Sequence, residues 1–356
     1  MNEQKAGIGR ITAAIVAIAA MLPYLTLKVL WLTGSSVGVT DPELMNGSVM
    51  MGMNALTFAM DAIALVLALA FTMRWGMRLP ALLVLLPLWV GAGLLSVVMV
   101  TAPLSVVIEG VSVFDTGGPI EPWVYLAVYT GFIGQGAGLM TAFVLYARDR
   151  WTTVFSTSIG HRHPSLTRPF QTVVGWGSLL VAGIVGGTRL FWALGGTAGL
   201  PPETAAALTP AGSMREAVQG LMAIAAGVAL VVLVRARGRG PFWRPLVVGW
   251  LGSGAMFGWG LYALTVTFTA GPLGSGILGG PDFVALFGTL TGLVMGMCGA
   301  FLLTERWAAL SGVLAGGPSG GLSGVFSGVG DVQPAQQPLE AEDGDGDRQA
   351  AYQGHR

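Results

Sequence analysis

Three charged residues lie inside long apolar stretches of this sequence: Lys28, Asp61 and Arg189. A charge at the centre of a bilayer-spanning helix costs about 2.5 to 3.5 kcal/mol on insertion scales, so such a residue is expected to face protein or water rather than lipid. A carboxylate in that position can bind a cation or relay a proton. Asp61, near the middle of its stretch, is therefore the first candidate for a substrate-binding or ion-binding residue.

Asp61 also has a structural interpretation. In an antiparallel pair of neighbouring helices, a rise of about 1.5 Å per residue places it roughly 9 Å deeper than Lys28, a gap that a lysine side chain or a water can close. Asp61 then forms a structural ion pair, or it is a protonated acid bonded to another helix. Gln135 and Asn54 are further polar candidates within the apolar stretches, either as ligands or as interhelical hydrogen-bonding groups.

Lys28 and Arg189 occupy matching places near the ends of their apolar stretches. Each is followed three residues later by a tryptophan, Trp31 and Trp192 respectively. The simplest interpretation is an interfacial anchor, in which the cation extends outward and the tryptophan lies among lipid headgroups. The alternative is a charged lining on an outward-facing cavity between two repeats. Arg189 has a third option, an ion pair with Glu216 at the start of the sixth apolar stretch.

The apolar stretches themselves define the class of protein. Hydrophobic residues make up 53% of the 356 residues, charged residues only 10%, and the mean hydropathy is +0.69, which is too apolar for a water-soluble chain. A helix needs about 20 apolar residues to span a bilayer. The sequence therefore predicts an all-α, polytopic membrane protein. Its eight transmembrane helices are expected at 11–33, 49–73, 79–102, 122–147, 170–194, 216–234, 245–270 and 282–304.

The basic residues divide the loops into two sets. If the N-terminus is cytoplasmic, nearly all loop arginines lie on the cytoplasmic side, and Arg215 is the outer exception. Basic residues beside a span resist translocation, so the sequence predicts a multi-pass protein with both termini in the cytoplasm. The preference for arginine over lysine and the abundance of glycine favour a GC-rich bacterial genome, and hence the plasma membrane.

The sequence repeats itself at a separation of 161 residues. "KVLWLTGSSVG" begins at Lys28 and "RLFWALGGTAG" at Arg189, and the match needs no gap from about 28 to 95. Four spans per copy is an even number, so both copies enter the membrane from the same side and the repeat is parallel. At this separation Met222 is the counterpart of Asp61, so the two halves differ there. The predicted organisation is a first four-helix repeat at 1–147, a basic cytoplasmic linker at 148–169, a second four-helix repeat at 170–310 and a disordered acidic cytoplasmic tail at 311–356.

Glycines four residues apart recur in the spans and share one helix face, where they allow two backbones to approach closely. Packing within the bundle is the simpler interpretation, and a homodimer seam is the alternative. The four pairs are Gly134 with Gly138, Gly183 with Gly187, Gly254 with Gly258, and Gly292 with Gly296.

"FWALGGTAGLP", at the end of the fifth span, resembles the W-A-L-G-G signature of small four-helix membrane proteins from high-GC bacteria, a family of unknown function. The likeness covers the residues from Arg189 to Pro201, together with the four-span pattern. The first copy departs from it with "LWLTGSSVG". The resemblance implies a tandem double of such a unit, and the family has no established activity to carry over.

Catalytic and metal-binding motifs are absent from the sequence. It has no Walker A loop, no G-x-S-x-G and no H-E-x-x-H, and its one cysteine, Cys298, lies in the last span. His161 and His163 form a pair in a cytoplasmic loop without a third ligand nearby. The sequence therefore predicts no cofactor and no metal site.

These features favour an integral plasma-membrane protein without enzymatic chemistry, either a small-solute permease or an accessory subunit of a membrane complex. The first alternative is a membrane enzyme that acts on a lipid or another hydrophobic substrate, with Asp61 as a candidate base. The second is a scaffold or sensor whose acidic tail binds a cytoplasmic partner. The lipid bilayer is the expected partner, together with a second copy of the chain or other membrane subunits, and no nucleic acid is expected.

Overall fold

The computed structural model describes residues 7–45, 47–114, 118, 120–160, 167–237, 239–270 and 279–314. Within these ranges, eight helices are long and apolar enough to cross a membrane. They are α1 (Ile8–Leu32), α2 (Ser48–Thr72), α3 (Ala81–Glu109), α4 (Pro122–Arg150), α5 (Arg168–Ala193), α6 (Pro210–Arg235), α7 (Trp243–Ala270) and α8 (Gly280–Leu314). The chain is thus an all-α, multi-pass integral membrane protein, as the sequence predicts.

α8 continues into the segment 311–356, which the sequence predicts to be a disordered tail. Residues 311–314 are helical, and the rest of that segment lies outside the described residues. The histidine pair of the predicted linker, His161 and His163, also lies outside them.

Three helices extend well beyond their predicted bounds: α3, α6 and α8, of which α8 ends at 314 rather than at 304. α6 begins at Pro210 rather than at 216, because the side chain of Thr209 accepts a hydrogen bond from the backbone N–H of Gly212 at 3.1 Å and proline is favoured in the first turn of a helix. α3 passes through Pro103 and ends at Glu109. Proline is tolerated within membrane helices because neighbouring groups can satisfy the backbone that it frees.

The helices pack in two groups that follow chain order. α1 packs against α2 and α4, and α5 packs against α6, which also contacts α7. Each group has its own core of buried apolar side chains, with Phe71 and Leu88 in the first and Leu230 and Met256 in the second. α3 and α7 contact each other and so join the groups.

Glycines bring several helix pairs into close contact. A β-carbon added to Gly138 would lie 2.6 Å from the backbone nitrogen of Ala17, so α4 and α1 touch there. Between α5 and α6, a β-carbon on Gly186 would lie 2.6 Å from the carbonyl oxygen of Gly220. The predicted pair in α5, Gly183 and Gly187, is wrong as a packing motif within the bundle, since a β-carbon on either would meet no atom within 4 Å. The close contact with α6 is instead made by Gly186, on the adjacent face of α5.

The crossing of α3 and α7 places two corresponding residues of the repeat against each other. A β-carbon on Gly93 would overlap the backbone of Gly254, which follows it by 161 residues. Beside this contact the indole Nε1 of Trp89 donates to the Ser253 hydroxyl at 3.0 Å, and its ring stacks on Phe257 with 5.0 Å between ring centroids. The crossing is therefore a close contact between the two helix groups.

Contacts between helix ends define two faces of the bundle. On one face, Arg10 at the start of α1 forms an ion pair with Asp149 at the end of α4, at 2.8 Å; we call this the Arg10 face. On the other, which we call the Trp31 face, Val39 and Ile120 form an antiparallel bridge in the segments that precede α2 and α4. Helices that follow one another thus run in opposite directions between these faces.

Candidate functional site

The repeated tryptophans close matching turns on the Trp31 face. Trp31 Nε1 donates to the carbonyl of Val37 at 2.9 Å, and Trp192 Nε1 donates to the carbonyl of Ala198, also at 2.9 Å. Each turn contains a glycine with positive φ, 90° at Gly34 and 91° at Gly195, a conformation that other residues rarely adopt.

Both tryptophan side chains are buried, with exposed fractions of 9% for Trp31 and 3% for Trp192. The predicted position of these rings among lipid headgroups is therefore wrong. Their indole N–H groups find partners inside the protein, which is the usual solution for a buried tryptophan. The two repeated tryptophans thus belong to the folded core of each half.

Lys28 is also buried, with an exposed fraction of 5%, so its interpretation as an outward-extending anchor is wrong. Its Nζ donates to Oδ1 of Asn54 at 2.7 Å. The ammonium lies over two aromatic rings, 4.7 Å from the Tyr24 centroid and 5.0 Å from the Trp31 centroid. Aromatic faces attract a cation, which compensates part of the cost of burying it.

Asp61 faces the interior of the bundle. Its exposed fraction is 5%, and its Oδ1 accepts a hydrogen bond from Nε2 of Gln135 at 3.2 Å. The other carboxyl oxygen, Oδ2, is buried and has no hydrogen-bond partner among the described residues. A direct ion pair with Lys28, which is one form of the first structural interpretation of Asp61, is not formed, and Lys28 bonds Asn54 instead.

Polar side chains line α2 between the Trp31 face and Asp61. Asn54, Thr57 and Asp61 are spaced three and four residues apart, so they share one side of the helix. Beyond Asp61, toward the Arg10 face, α2 buries the apolar side chains of Ala64 and Leu67. Polar groups thus line one approach to Asp61, whereas apolar packing lies on its other side.

The second half contains a closed ion pair at the matching place. Arg189 Nη1 lies 2.6 Å from Glu216 Oε2, with side chains that are 13% and 14% exposed. This is the pairing that the sequence offered as the third option for Arg189. A small cavity beside it is lined by Arg189, Gln219 and apolar residues that include Met256.

The buried faces of α2 and α6 correspond at a separation that is one residue longer than the separation of the sequence repeat. The buried faces match at a separation of 162 residues: Asp61 with Ala223, Ala64 with Ala226, Ala68 with Leu230 and Phe71 with Leu233. In this register Asp61 corresponds to Ala223, whereas the sequence repeat predicts Met222. In the same register Asn54 corresponds to Glu216, so Lys28 with Asn54 and Arg189 with Glu216 are equivalent pairs.

Sequence reasoning missed a second pair of matching contacts on the Arg10 face. The ion pair of Arg10 with Asp149 joins the start of α1 to the end of α4. In the second half, Gln171 Nε2 donates to Glu305 Oε2 at 2.8 Å, and this bond joins the first turn of α5 to α8 nine residues before α8 ends. Gln171 follows Arg10 by 161 residues, but the change from a cation to an amide hid the correspondence.

Among the residues that the structure describes, no group of three or more His, Cys, Asp or Glu side chains could hold a metal ion. The first half does bury the ammonium of Lys28, the amides of Asn54 and Gln135, and the carboxyl group of Asp61. Together these form what we call the polar cluster.

Comparison of the chain with protein-family models, with curated proteins and with solved structures finds no match. The resemblance of "FWALGGTAGLP" to the W-A-L-G-G signature stays a prediction. The geometry of the polar cluster is therefore the basis for a functional proposal.

Proposed function

We propose that this protein is a small-solute permease of the bacterial plasma membrane, in which Asp61 binds a cation or a proton during transport. The observation that carries the proposal is the buried Oδ2 of Asp61, which has no hydrogen-bond partner in the described part of the chain. The proposal includes both termini in the cytoplasm, so that the Trp31 face is the outer face.

Within the ranges that the structure describes, Oδ2 of Asp61 lacks the hydrogen bond that a buried oxygen normally has. A buried polar atom without a partner costs about 1 to 3 kcal/mol, and more when it is charged. Such a residue inside a membrane protein is a functional candidate by default. A bound cation or proton supplies the missing interaction at Oδ2, while Gln135 continues to hold Oδ1 at 3.2 Å.

The approach to Asp61 favours a carrier over a pore. Asn54 and Thr57 provide polar groups on the side of the Trp31 face, while Ala64 and Leu67 are packed on the opposite side. A pore needs a continuous polar path, whereas a carrier exposes its site to one side at a time. The one-sided polar approach therefore supports alternating access.

In such a carrier, the moving parts are the two helix groups. We infer two parallel four-helix repeats, supported by the matching turns at Gly34 and Gly195 and by the contact of Gly93 with Gly254. An axis along the membrane normal relates parallel repeats, and many transporters move one bundle against another around a site near the bilayer midplane.

Ion flux into liposomes tests this proposal. Purified full-length protein is reconstituted into liposomes that contain a trapped dye sensitive to Na⁺, K⁺ or H⁺, and a gradient of the matching ion is imposed in each case. We expect flux of at least one of these ions above that of protein-free liposomes. Asp61→Asn should abolish it, because an amide neither binds a cation as a carboxylate does nor takes up a proton near neutral pH.

Glu43→Gln is the matched control, since it also removes one acidic charge but at an exposed position outside the long helices. It should leave the flux unchanged. The proposal is wrong if wild-type protein transports none of the three ions, or if Asp61→Asn protein that elutes as a single species transports them at the wild-type rate.

A further inference from the structure

We propose that Lys28 binds a small monovalent anion, which the protein takes up together with the cation or proton at Asp61. This inference rests on the proposed function and names the class of solute. It follows from a difference between the two halves in how the buried cation is neutralised.

In the second half the cation has its own carboxylate. Arg189 and Glu216 are 2.6 Å apart and largely buried, so their charges cancel within the protein. A buried charge is stable only when it is paired and hydrogen-bonded. The second half thus has no uncompensated charge at this place, so its neutrality does not require an external ion.

In the first half the equivalent carboxylate is missing. Asn54, the counterpart of Glu216, offers Lys28 a neutral amide oxygen at 2.7 Å. An ammonium has three N–H donors, and only this one hydrogen bond is made to the described residues. The rings of Tyr24 and Trp31 attract the cation but carry no net charge.

Asn54 itself adds a second donor at the same place. Its Oδ1 is engaged by Lys28, so its amide Nδ2 lies beside the ammonium and makes no hydrogen bond to any described residue. An ammonium and an amide N–H₂ that lie side by side can both donate to one halide ion or one carboxylate. The donor set therefore fits an anion and not a second cation.

Charge balance couples this anion to Asp61. Lys28 as ammonium and Asp61 as carboxylate give the polar cluster a net charge of zero. A cation or proton at Asp61 alone leaves one uncompensated positive charge in a region of low dielectric, which is unfavourable. An anion at Lys28 restores neutrality, so the two ions are expected to bind together in a one-to-one ratio.

The test uses anion-dependent stabilisation of the purified full-length protein. The apparent midpoint of thermal unfolding is measured in detergent at constant sodium concentration, while bulky gluconate is replaced by chloride or by acetate. A ligand that binds only the folded state raises this midpoint and saturates. For wild-type protein we expect a saturable rise of several degrees with at least one of the two probes.

Glutamate and glutamine have nearly the same volume but differ in charge. Placing each at position 54 therefore separates the effect of charge on anion binding from the effect of side-chain size. Asn54→Glu gives Lys28 the carboxylate that Arg189 already has, and should abolish the anion-dependent rise. Asn54→Gln keeps the site neutral and should retain it. If Asn54→Glu does not yield a single species on gel filtration, Lys28→Met replaces it, with the same expected loss.

The inference is overturned if neither anion stabilises wild-type protein, or if Asn54→Glu responds as Asn54→Gln does. Either result can occur while Asp61-dependent flux of Na⁺, K⁺ or H⁺ persists in liposomes, and then only the anion assignment fails. If the protein shows no Asp61-dependent flux but is still stabilised by chloride or acetate, the proposed function is wrong.

Discussion

Lys28 and Arg189 make equivalent contacts with different electrical consequences: Nζ of Lys28 lies 2.7 Å from the neutral Oδ1 of Asn54, whereas Nη1 of Arg189 lies 2.6 Å from the carboxylate of Glu216. One half thus has an internally neutralised cation, and the other has a cation that depends on Asp61 or on an external ion. This asymmetry is the basis of the proposed binding site.

The Arg189–Glu216 pair should be a major stabilising contact of the second half. Glu216→Gln leaves the guanidinium largely buried without a counter-charge, so we expect the free energy of unfolding to fall by about 3 kcal/mol. Glu203→Gln, at an exposed position, should change it by less than about 0.5 kcal/mol. Denaturant unfolding in detergent provides the comparison, and equal effects of the two substitutions would contradict the assignment.

Asp61 and the anion site should be coupled. Asp61→Asn imitates the charge of the ion-loaded carboxyl group and leaves Lys28 as the only charge in the polar cluster. Half-saturation of the stabilisation by chloride or acetate should then occur at about tenfold lower anion concentration than in wild-type protein. Glu43→Gln should titrate as wild type does, and weaker anion binding by Asp61→Asn would count against the coupling.

The contact of Gly93 with Gly254 should hold the two halves together. Gly93→Ala places a methyl group against the opposing backbone, so we expect a loss of about 1 to 3 kcal/mol in the free energy of unfolding. Gly91→Ala, in the same helix, meets no atom within 4 Å and should be neutral or slightly stabilising. If both variants behave alike under denaturant, the close crossing of α3 and α7 is wrong.

The orientation of the bundle can be tested with a reporter that is active only in the cytoplasm. Fusion after residue 155, on the Arg10 face, should be active, and fusion after residue 200, on the Trp31 face, should be silent. The physical reason is the concentration of arginines on the Arg10 face, since basic residues beside a span resist translocation. The opposite pattern would invert the proposed topology.

The class of protein and the number of spans could be predicted because the length of an apolar stretch decides whether it can cross a bilayer. The burial of Lys28 and Trp31 could not. A cation followed by a tryptophan near the end of a span is typical of an interfacial anchor, and only the contacts with Asn54 and Val37 place these side chains inside the bundle.

The correspondence between the two halves was predictable in sequence and yet inexact in space. The repeat at 161 residues pairs Asp61 with Met222, but the buried face of α6 is displaced by one residue, so Ala223 takes that place. Both residues are apolar, and neither composition nor spacing distinguishes them. In the same way Gly183 and Gly187 have the spacing of a packing motif, although the neighbouring Gly186 makes the contact.

Infrared difference spectroscopy of Asp61 measures most directly whether its carboxyl group binds a cation or a proton. Spectra of reconstituted protein are recorded while Na⁺ is exchanged for K⁺ and then while the pH is changed. We expect a carboxyl band that responds to at least one exchange, disappears in Asp61→Asn and persists in Glu43→Gln. Difference spectra that are identical for wild type and Asp61→Asn under every exchange would contradict a cation or proton at Asp61.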